Sequence, residues 1–228
     1  MRLSRLLSLT ALTAAAALAV APLSRASDAP PADKVPLRLE LPRPLFVGTP
    51  VPIKIANLEA PRSGPRPPFY VPPGTVNLAL NKPVTSSDNE PLLGDLELVT
   101  DGDKEGEEGS YVELGRGKQW VQIDLGAAHA LHAIAVWHFH SQGRVYKNVV
   151  VQLSDDPDFI SGVKTIWNSD TANELGLGAG ADPLYLENNE GRILDAKGHT
   201  ARYVRLYSGG NTTSAMNHYI EVEVHGTP

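Results

Sequence analysis

Residues 137–144 carry the side chains with the clearest binding chemistry in this chain. Trp137, His138, His140 and Arg144 all fall within this short segment. Proteins hold sugar rings with aromatic faces and with planar hydrogen-bond donors and acceptors, and these residue types supply both. The segment therefore predicts a carbohydrate contact.

Each of these side chains also has a structural interpretation. Trp137 alternates with His138 along a predicted strand, so one of the two faces belongs in the core and Trp137 fits it. His138 and His140 would share a face and could bind a metal, although two ligands alone make a weak site; they also fit a solvated surface. Arg144 suits a surface ion pair as well as a ligand contact.

Residues 101–106 place the carboxylates of Asp101, Asp103 and Glu105 at alternate positions before a glycine. Calcium takes about six to eight oxygen ligands, and acidic loops of this kind can wrap around one ion. The pattern matches the start of an EF-hand loop, but Val112 stands where the closing glutamate would be. A calcium site and a solvated acidic turn therefore both remain open.

Two further loops are candidates for the rim of a ligand site. Residues 211–218 form a polar loop that begins at Asn211, and residues 170–182 form a long glycine-containing loop that suits a flap. The sequence has no nucleophile elbow, no zinc-protease helix motif and no phosphate loop. We therefore expect a binding protein and not an enzyme.

Short apolar runs separated by turn residues predict the elements that position these side chains. In residues 119–126 apolar and polar side chains alternate, and Gly126 is expected to end the strand in a tight turn. The predicted strands are residues 120–125, 131–139, 146–154, 163–167, 201–208 and 219–225. Such a series predicts an all-β fold, an antiparallel β-sandwich. One short helix is expected within residues 90–100.

Alternation also assigns faces to the last two predicted strands. Val204 and Leu206 are expected to point inward. In the final strand the inward set is Ile220, Val222 and Val224, and the outward set is Tyr219, Glu221 and Glu223.

Five segments in order resemble the discoidin family, the coagulation factor V/VIII type C domains. They are residues 77–83, 99–103, 119–126, 202–207 and 220–226. The resemblance covers residues 76–228 and implies a jelly-roll β-sandwich of the galactose-binding-like kind. It informs the fold more than the ligand, because one fold hosts many ligands.

The resemblance extends to the calcium-binding F-type lectins, which bind fucose. It implies a structural calcium ion that ties the first loop to the last strand. The ligands implied are the carbonyls of Leu98 and Asp103, the side chains of Asp101 and Glu221, and Ser110.

In those lectins a histidine and two arginines hold the sugar. Arg144 matches the second arginine, but the first falls on Trp137 or His138, so the lectin triad is not reproduced. The resemblance implies a glycan-binding module or, alternatively, a module for protein binding and cell adhesion. Lipid head groups are a third ligand class of the family.

The N-terminus has the pattern of an export signal. Arg2 and Arg5 precede an apolar run at residues 6–20, and small residues at 24–26 suit cleavage after Ala26. Residues 1–26 are therefore predicted to be a signal peptide, and the mature protein to be secreted, periplasmic or at the cell surface. The chain has no cysteine, so disulfides cannot stabilise it.

Residues 27–75 separate the signal from the domain. Thirteen of the 19 prolines fall within residues 28–75, which disfavours helix. This segment suits a semi-rigid spacer, or an arm that packs on the sandwich or docks a partner. Residues 62–68 suit a plain linker, and one edge strand is possible across residues 45–55.

The predicted domain, residues 76–228, is strongly acidic. It holds 22 Asp and Glu against 11 Lys and Arg, a formal charge of −11. Such a surface repels nucleic acid and anionic lipid, which basic residues normally recruit. We expect a glycan or an extracellular protein as partner, and neither nucleic acid nor membrane insertion.

Overall fold

The computed structural model describes residues 31–45 and 52–228. In this part of the chain the regular structure is antiparallel strand apart from one 3₁₀ helix, Leu96–Val99, which lies inside the predicted helical region. The predicted all-β antiparallel class is confirmed. The predicted signal peptide at residues 1–26 lies outside the described residues.

The strands are short except for two. In chain order they are β1 (Val35–Pro36), β2 (Tyr70–Val71), β3 (Val76–Asn77), β4 (Val84–Ser86), β5 (Val112–Leu114), β6 (Gln119–Trp137), β7 (Val150–Ser154), β8 (Lys164–Asn168), β9 (Arg192–Ser208), β10 (Asn217–Tyr219) and β11 (Glu221–Thr227). The largest sheet has the order β3-β11-β6-β9-β7-β8, with β4 also on β6. Two smaller pairs are β1–β2 and β5–β10.

The long strands β6 and β9 pair with each other and form the frame of the sandwich. A straight strand as long as β6 would span about 60 Å at roughly 3.3 Å per residue. Yet Val121 and Val136, near its opposite ends, belong to one buried cluster. The pair must therefore bend back over the core, which places the two halves of the sheet face to face.

Gly126 does not end a strand, contrary to prediction. Both halves of β6 pair with β9, so the chain continues in one direction through this glycine, which has φ +87°. The pairing register shifts between Asp124 and His129. The glycine therefore accommodates the irregular stretch where the frame bends, a position where positive φ is needed.

The predicted faces hold for β9 and need correction around β11. Val204 and Leu206 are buried in the main core as expected. Tyr219, predicted outward, is also fully buried there, because the chain bends at Ile220 between β10 and β11 and the alternation restarts. Glu221, on the face opposite the core, is nonetheless fully buried.

The described part of the proline-rich segment packs on the sandwich, which decides between the two interpretations of this region. β1 pairs with β2 within the segment itself, and Leu39 joins the small apolar cluster around Trp137. Leu58 forms a parallel bridge with Leu184. We call residues 31–45 and 52–75 the arm. The boundary between arm and domain at residue 76 stays a prediction.

Residues 62–68, predicted as plain linker, instead attach the arm to the sandwich through ion pairs. Arg62 and Arg66 both pair with the carboxylate of Glu190, and Arg66 also donates to the carbonyl of Gly191. These contacts reach across more than 120 positions of sequence. A local composition argument could not reveal them, since the partner carboxylate is far away in the chain.

No helix in the described residues is long and apolar enough to cross a membrane.

Candidate functional site

Trp137 lies in the core. Its side chain is fully buried in a cluster with Ala135 and Ile220, and its indole Nε1 donates to the carbonyl of Asn189 at 3.0 Å. Gly191 closes over the ring so tightly that a Cβ there would lie 2.5 Å from it. This packing does not permit the predicted ligand contact by Trp137; the core interpretation is the one that the structure shows.

His138 is fully buried behind the surface. Its ring stacks on Tyr146 with centroids 4.3 Å apart, and its Nδ1 lies 2.8 Å from Oε1 of Glu187. A ligand cannot reach this ring without displacing its cover, so the predicted direct contact does not fit this geometry. His138 instead packs against Tyr146 and pairs with Glu187 inside the domain.

His140 is buried beside the acidic loop. Its Nε2 donates to the carbonyl of Lys104 at 2.9 Å, which fixes the loop to the segment that follows β6. The two histidines therefore have different partners and do not form a metal pair. Among the described residues, no group of three or more His, Cys, Asp or Glu side chains is placed to hold a metal.

Arg144 lies at the centre of a group of rings. Its guanidinium lies 4.2 Å from the ring centroid of Phe139, and one Nη donates to the side chain of Gln142 at 3.1 Å. Its Nε has no hydrogen-bond partner within the described residues. Arg144 is itself largely buried, with its guanidinium over an aromatic face and with one buried nitrogen that has no acceptor in this part of the chain.

Three further residues complete this group, which we call the arginine cluster: Tyr111, Glu113, Phe139, Arg144 and His218. The ring of Tyr111 lies 5.1 Å from Phe139 and 5.8 Å from His218, between centroids. Tyr111, Glu113 and Phe139 are half-buried, so their outer edges face solvent. The cluster combines aromatic faces with planar polar groups at one place.

His218 is neutral in this cluster. Burial, with the positive charge of Arg144 nearby, lowers its pKa to about 4. Its Nδ1 is 2.9 Å from the Tyr146 hydroxyl and its Nε2 is 3.1 Å from Oε2 of Glu113. The carboxylate can only accept, which assigns the proton to Nε2 and leaves Nδ1 to accept from Tyr146.

Asn211 shapes its own loop. Its Oδ1 accepts from the backbone of Thr213 and Ser214, and its Nδ2 donates to the carbonyl of Met216. These bonds use the amide within the loop, so the geometry does not support the predicted ligand contact. The same loop is tied to the start of the segment after Arg144, because the Thr212 backbone donates to Val145.

The predicted calcium residues come together only in part. Asp101 accepts from the backbone of Asp103 at 2.8 Å, and Asp103 accepts from the hydroxyl of Ser110 at 2.9 Å. Glu221 reaches the same loop from β11, where its Oε2 accepts from the backbone of Gly102 at 3.1 Å. Leu98 lies in the 3₁₀ helix that leads into the loop.

Glu221 is the exceptional group of this loop. Its Oε1 is buried and has no hydrogen-bond partner in the described residues. Burial raises the pKa of Glu221 to about 9, and the Gly102 hydrogen bond and the positive charge of Lys104 offset only part of this effect. The nearby ammonium of Lys104 pairs instead with Oε1 of Glu223 at 2.7 Å.

These residues fit a calcium ion in kind. The carboxylate of Glu221 reaches the backbone of the acidic loop, and the hydroxyl of Ser110 bonds the carboxylate of Asp103 in that loop. One buried oxygen of Glu221 has no partner in the described residues, and oxygen is the ligand atom that calcium prefers. An uncompensated buried carboxylate is unfavourable by itself, and a cation would remove that penalty.

Sequence reasoning missed Tyr111 and Glu113 and did not single out His218 within its loop. β5 and β10 pair so that Glu113 lies directly opposite His218. The run at residues 111–114 has the alternation of a short strand, which was the available signal. Its pairing with β10 joins positions about 100 residues apart, and a local sequence pattern cannot predict a pairing over that distance.

Comparison with known proteins gives similarity in fold. No protein-family model matches this chain, and no curated protein matches it. Solved structures with similar backbones include "CBM32 of AlyQ in complex with 4,5-unsaturated mannuronic acid", 20% identical, with 62% of this chain and 92% of that chain covered and a TM-score of 0.46.

Two others are similar at the same level. One is chitosan-binding module 1 of a chitosanase/glucanase from Paenibacillus sp. IK-5, at 21% identity and a TM-score of 0.44, with 66% of this chain and 99% of that one covered. The other is SpX-3, a fucose-binding module of Streptococcus pneumoniae, at 21% identity and a TM-score of 0.48. The match covers 67% of this chain and 99% of that one.

Proposed function

We propose that this protein is an exported, non-catalytic carbohydrate-binding module and that the arginine cluster is its glycan site. The observation that carries the proposal is the guanidinium of Arg144 over the ring of Phe139, because Phe139 and its neighbour Tyr111 are only half-buried. Sugars present hydroxyls to planar charged donors and C–H faces to aromatic rings, and this cluster offers both next to solvent.

Binding fits this cluster better than acid–base catalysis. Its carboxylate, Glu113, is paired with His218, and His218 is held neutral between two partners. These groups are therefore fixed as donors and acceptors. A preorganised set of this kind suits recognition of hydroxyl groups.

The test is a glycan array with the full chain, arm included, followed by titration calorimetry on any hit with wild type and Arg144→Gln. Removing a charged donor from a bound hydroxyl should weaken affinity about 10- to 100-fold, the equivalent of roughly 1.5–3 kcal/mol. The matched control is Arg116→Gln, since Arg116 is an exposed arginine. An array without hits, or a hit that Arg144→Gln binds as tightly, contradicts the proposal.

Calcium is proposed as a structural ion of this domain. The side chains of Asp101 and Glu221, the carbonyls of Leu98 and Asp103, and Ser110 would hold it. The partnerless oxygen of Glu221 supports this assignment. When bound, the ion would neutralise a buried carboxylate and tie the acidic loop to β11.

Export is proposed from the sequence of residues 1–26. The expected outcome is that the protein recovered outside the cytoplasm begins at Ser27, measured by intact mass. An N-terminus that retains residues 1–26 would contradict cleavage after Ala26.

A protein-binding role is the alternative, and one observation favours it. Leu92 and Leu93 are 56% and 39% exposed, and Leu93 is bridged to Glu113 at the edge of the arginine cluster. Exposed apolar side chains beside a polar site are typical of protein interfaces. Loss of a captured protein on Leu92→Ser, with no glycan hit, would favour this alternative.

A further inference from the structure

The arm and the sandwich leave a cavity between them that the proposed glycan site does not use. Its volume is about 1010 Å³, at the upper end of the range of about 300–1,000 Å³ typical of small-molecule sites. One wall comes from arm residues 52–69 and the other from residues 185–193 of the sandwich. The arginine cluster contributes no residue to this lining.

Aliphatic and proline side chains make up most of the lining on both walls. The arm contributes Ile53, Ile55 and Leu58, and the sandwich contributes Leu186 and Ile193. All five side chains are only half-buried, so part of their apolar surface stays open. Covering such surface with an apolar group is favourable roughly in proportion to the area removed from water.

The charged groups at the cavity do not balance. Among the described residues, four charged side chains line it, and three of them are arginines. Arg62 and Arg66 share one carboxylate, that of Glu190, whereas Arg192 pairs with Glu59 at 2.7 Å. Three guanidinium groups thus face two carboxylates, which leaves one positive charge in a chain whose net charge is −6.

The three guanidinium groups lie together on one stretch of the sandwich wall. Arg62 and Arg66 both reach Glu190. Arg66 also donates to the carbonyl of Gly191, and Arg192 follows directly in the chain. Burial lowers the pKa of Arg66, and the charges of Arg62 and Arg192 act in the same direction, although Glu190 offsets part of this effect. The surplus charge is therefore concentrated there, and the rest of the lining is mostly apolar.

This arrangement selects a ligand with one anionic group and an aliphatic body. Guanidinium matches a carboxylate in geometry, and one surplus charge matches a single carboxylate. The described lining offers little to hydroxyl groups, since Asn188 is its only amide and Tyr185 is only 5% exposed.

We infer that the cavity between arm and sandwich is a second binding site, which takes monocarboxylates with an alkyl chain, the chemistry of a fatty acid. The carboxylate lies at the three arginines, and the chain lies against the aliphatic walls. This goes beyond the proposed function by adding a site with its own ligand class. The arm forms half of the site, which gives the packing of the proline-rich segment a role in recognition.

The test is titration calorimetry of the full chain, arm included, with octanoate, decanoate, decanol and decyltrimethylammonium, each below its micelle concentration. Decanoate should bind about 5- to 15-fold more tightly than octanoate, because each buried CH₂ contributes up to about fourfold. It should bind at least about tenfold more tightly than decanol, which lacks the charge. The cation should not bind in the cavity, although non-specific adsorption to an acidic chain would favour it.

Gly64→Trp fills the cavity without backbone strain. Gly64 lines the cavity, its φ is not positive, and a Cβ there would meet nothing within 4 Å. Gly64→Trp should abolish binding of decanoate and of decanol, and Gly64→Ala should leave both unchanged. Circular dichroism checks that each variant is folded.

Arg62→Gln tests the charge separately from the chain. The side chain of Arg62 is 43% exposed, and its removal leaves two guanidinium groups facing two carboxylates. Decanoate should then bind no more tightly than decanol, whose affinity should not change. The matched control is Arg116→Gln, an exposed arginine outside the lining, which should alter neither affinity.

The outcomes separate this inference from the proposed glycan site. If no carboxylate binds, if decanol or the cation binds as tightly as decanoate, or if Arg62→Gln keeps the preference for the acid, the inference is overturned. If Arg144→Gln abolishes decanoate binding and Gly64→Trp does not, the acid occupies the arginine cluster and the second site is rejected. If Gly64→Trp abolishes binding and the glycan array is empty, the second site stands without the first.

Discussion

At the scale of single residues, two buried ionisable groups have strongly shifted pKa values. Glu221 is a carboxyl with a partnerless oxygen, and His218 is an imidazole with two partners. Burial acts on them in opposite directions: it raises the pKa of Glu221 and lowers the pKa of His218. In each case burial favours the uncharged form.

Glu221→Gln should remove the calcium response without unfolding the domain. Glutamine keeps the shape of a protonated carboxyl, so in chelator the variant should melt at or above the wild-type temperature. At a calcium concentration of 100 Kd the wild type should gain about 2.7 kcal/mol, or about 5–10 °C in Tm, and the variant nothing. Thermal melts in calcium and in chelator measure this.

Glu223→Gln is the matched control for this experiment. It removes the partner of Lys104 and His225, so it should lower Tm but keep the response to calcium. If the Tm of the wild type is the same in calcium and in chelator, the calcium proposal is wrong.

His218 should make the folded state less stable in mild acid. Its folded pKa of about 4 lies below the unfolded value of about 6.5. As pH falls from about 6.5 to 4, the unfolded chain takes up a proton that the folded protein does not, so the free energy of unfolding decreases. Below about pH 4 this residue has no further effect.

Urea unfolding between pH 4 and 7.5 isolates this contribution when wild type and His218→Gln are compared. The difference in free energy of unfolding between them should change with pH in that window. Parallel curves would show that His218 titrates alike in both states.

At the scale of elements, the start of β9 is held by a close approach of backbone to ring. Gly191 has φ +63°, and its position leaves no room for a Cβ beside Trp137. Gly198, further along β9, has φ +71° but open space around it. The two glycines thus share a backbone conformation and differ in packing.

Gly191→Ala should destabilise the protein more than Gly198→Ala. Both substitutions place a side chain at positive φ, which costs about 1–2 kcal/mol. Gly191→Ala should lose roughly a further 1–3 kcal/mol, because the buried indole cannot move aside. Urea unfolding measures both values, and equal losses would show that the ring relaxes freely.

At the scale of the whole molecule, the arm and the sandwich form one packed unit in the described part of the chain. The arm covers the start of β9 through Glu59–Arg192, and Arg43 of the arm lies 3.2 Å from Glu107, just after the acidic loop. Exposed ion pairs of this type are individually weak, at about 0–1 kcal/mol each. Docking therefore depends on several of them together with strand pairing and apolar contact.

Glu190→Gln should loosen the arm. Both arginines of residues 62–66 lose their carboxylate, so trypsin should cut after Arg62 up to about fivefold faster, in line with a loss of about 1 kcal/mol. Mass spectrometry of timed digests measures the rate. Glu174→Gln, which changes a carboxylate bonded to Asn148, is the control and should not alter it.

Local chemistry in the sequence was sufficient for the all-β class and for much of the core, although β5 and the first half of β9 were not predicted. Alternation at Val204 and Leu206 gave the correct inward face, since a strand places every second side chain on one side. The same rule failed at Tyr219, where one bend at Ile220 restarts the alternation. Because side chains alternate between the two faces of a strand, one irregular position reverses every face assignment that follows it.

The arginine cluster depends on contacts between residues far apart in the chain, which local sequence patterns do not predict. Arg144 could be selected from its type and its place before a strand, but its surroundings come from β5 and β10, whose pairing joins Glu113 to His218. Burial of Trp137 and His138 likewise follows from elements that fold over them, and the arm's attachment follows from Glu190. Residue type and spacing determined the class of fold and the candidate chemistry; tertiary structure decided which side chains reach solvent, because burial is a property of the assembled layers.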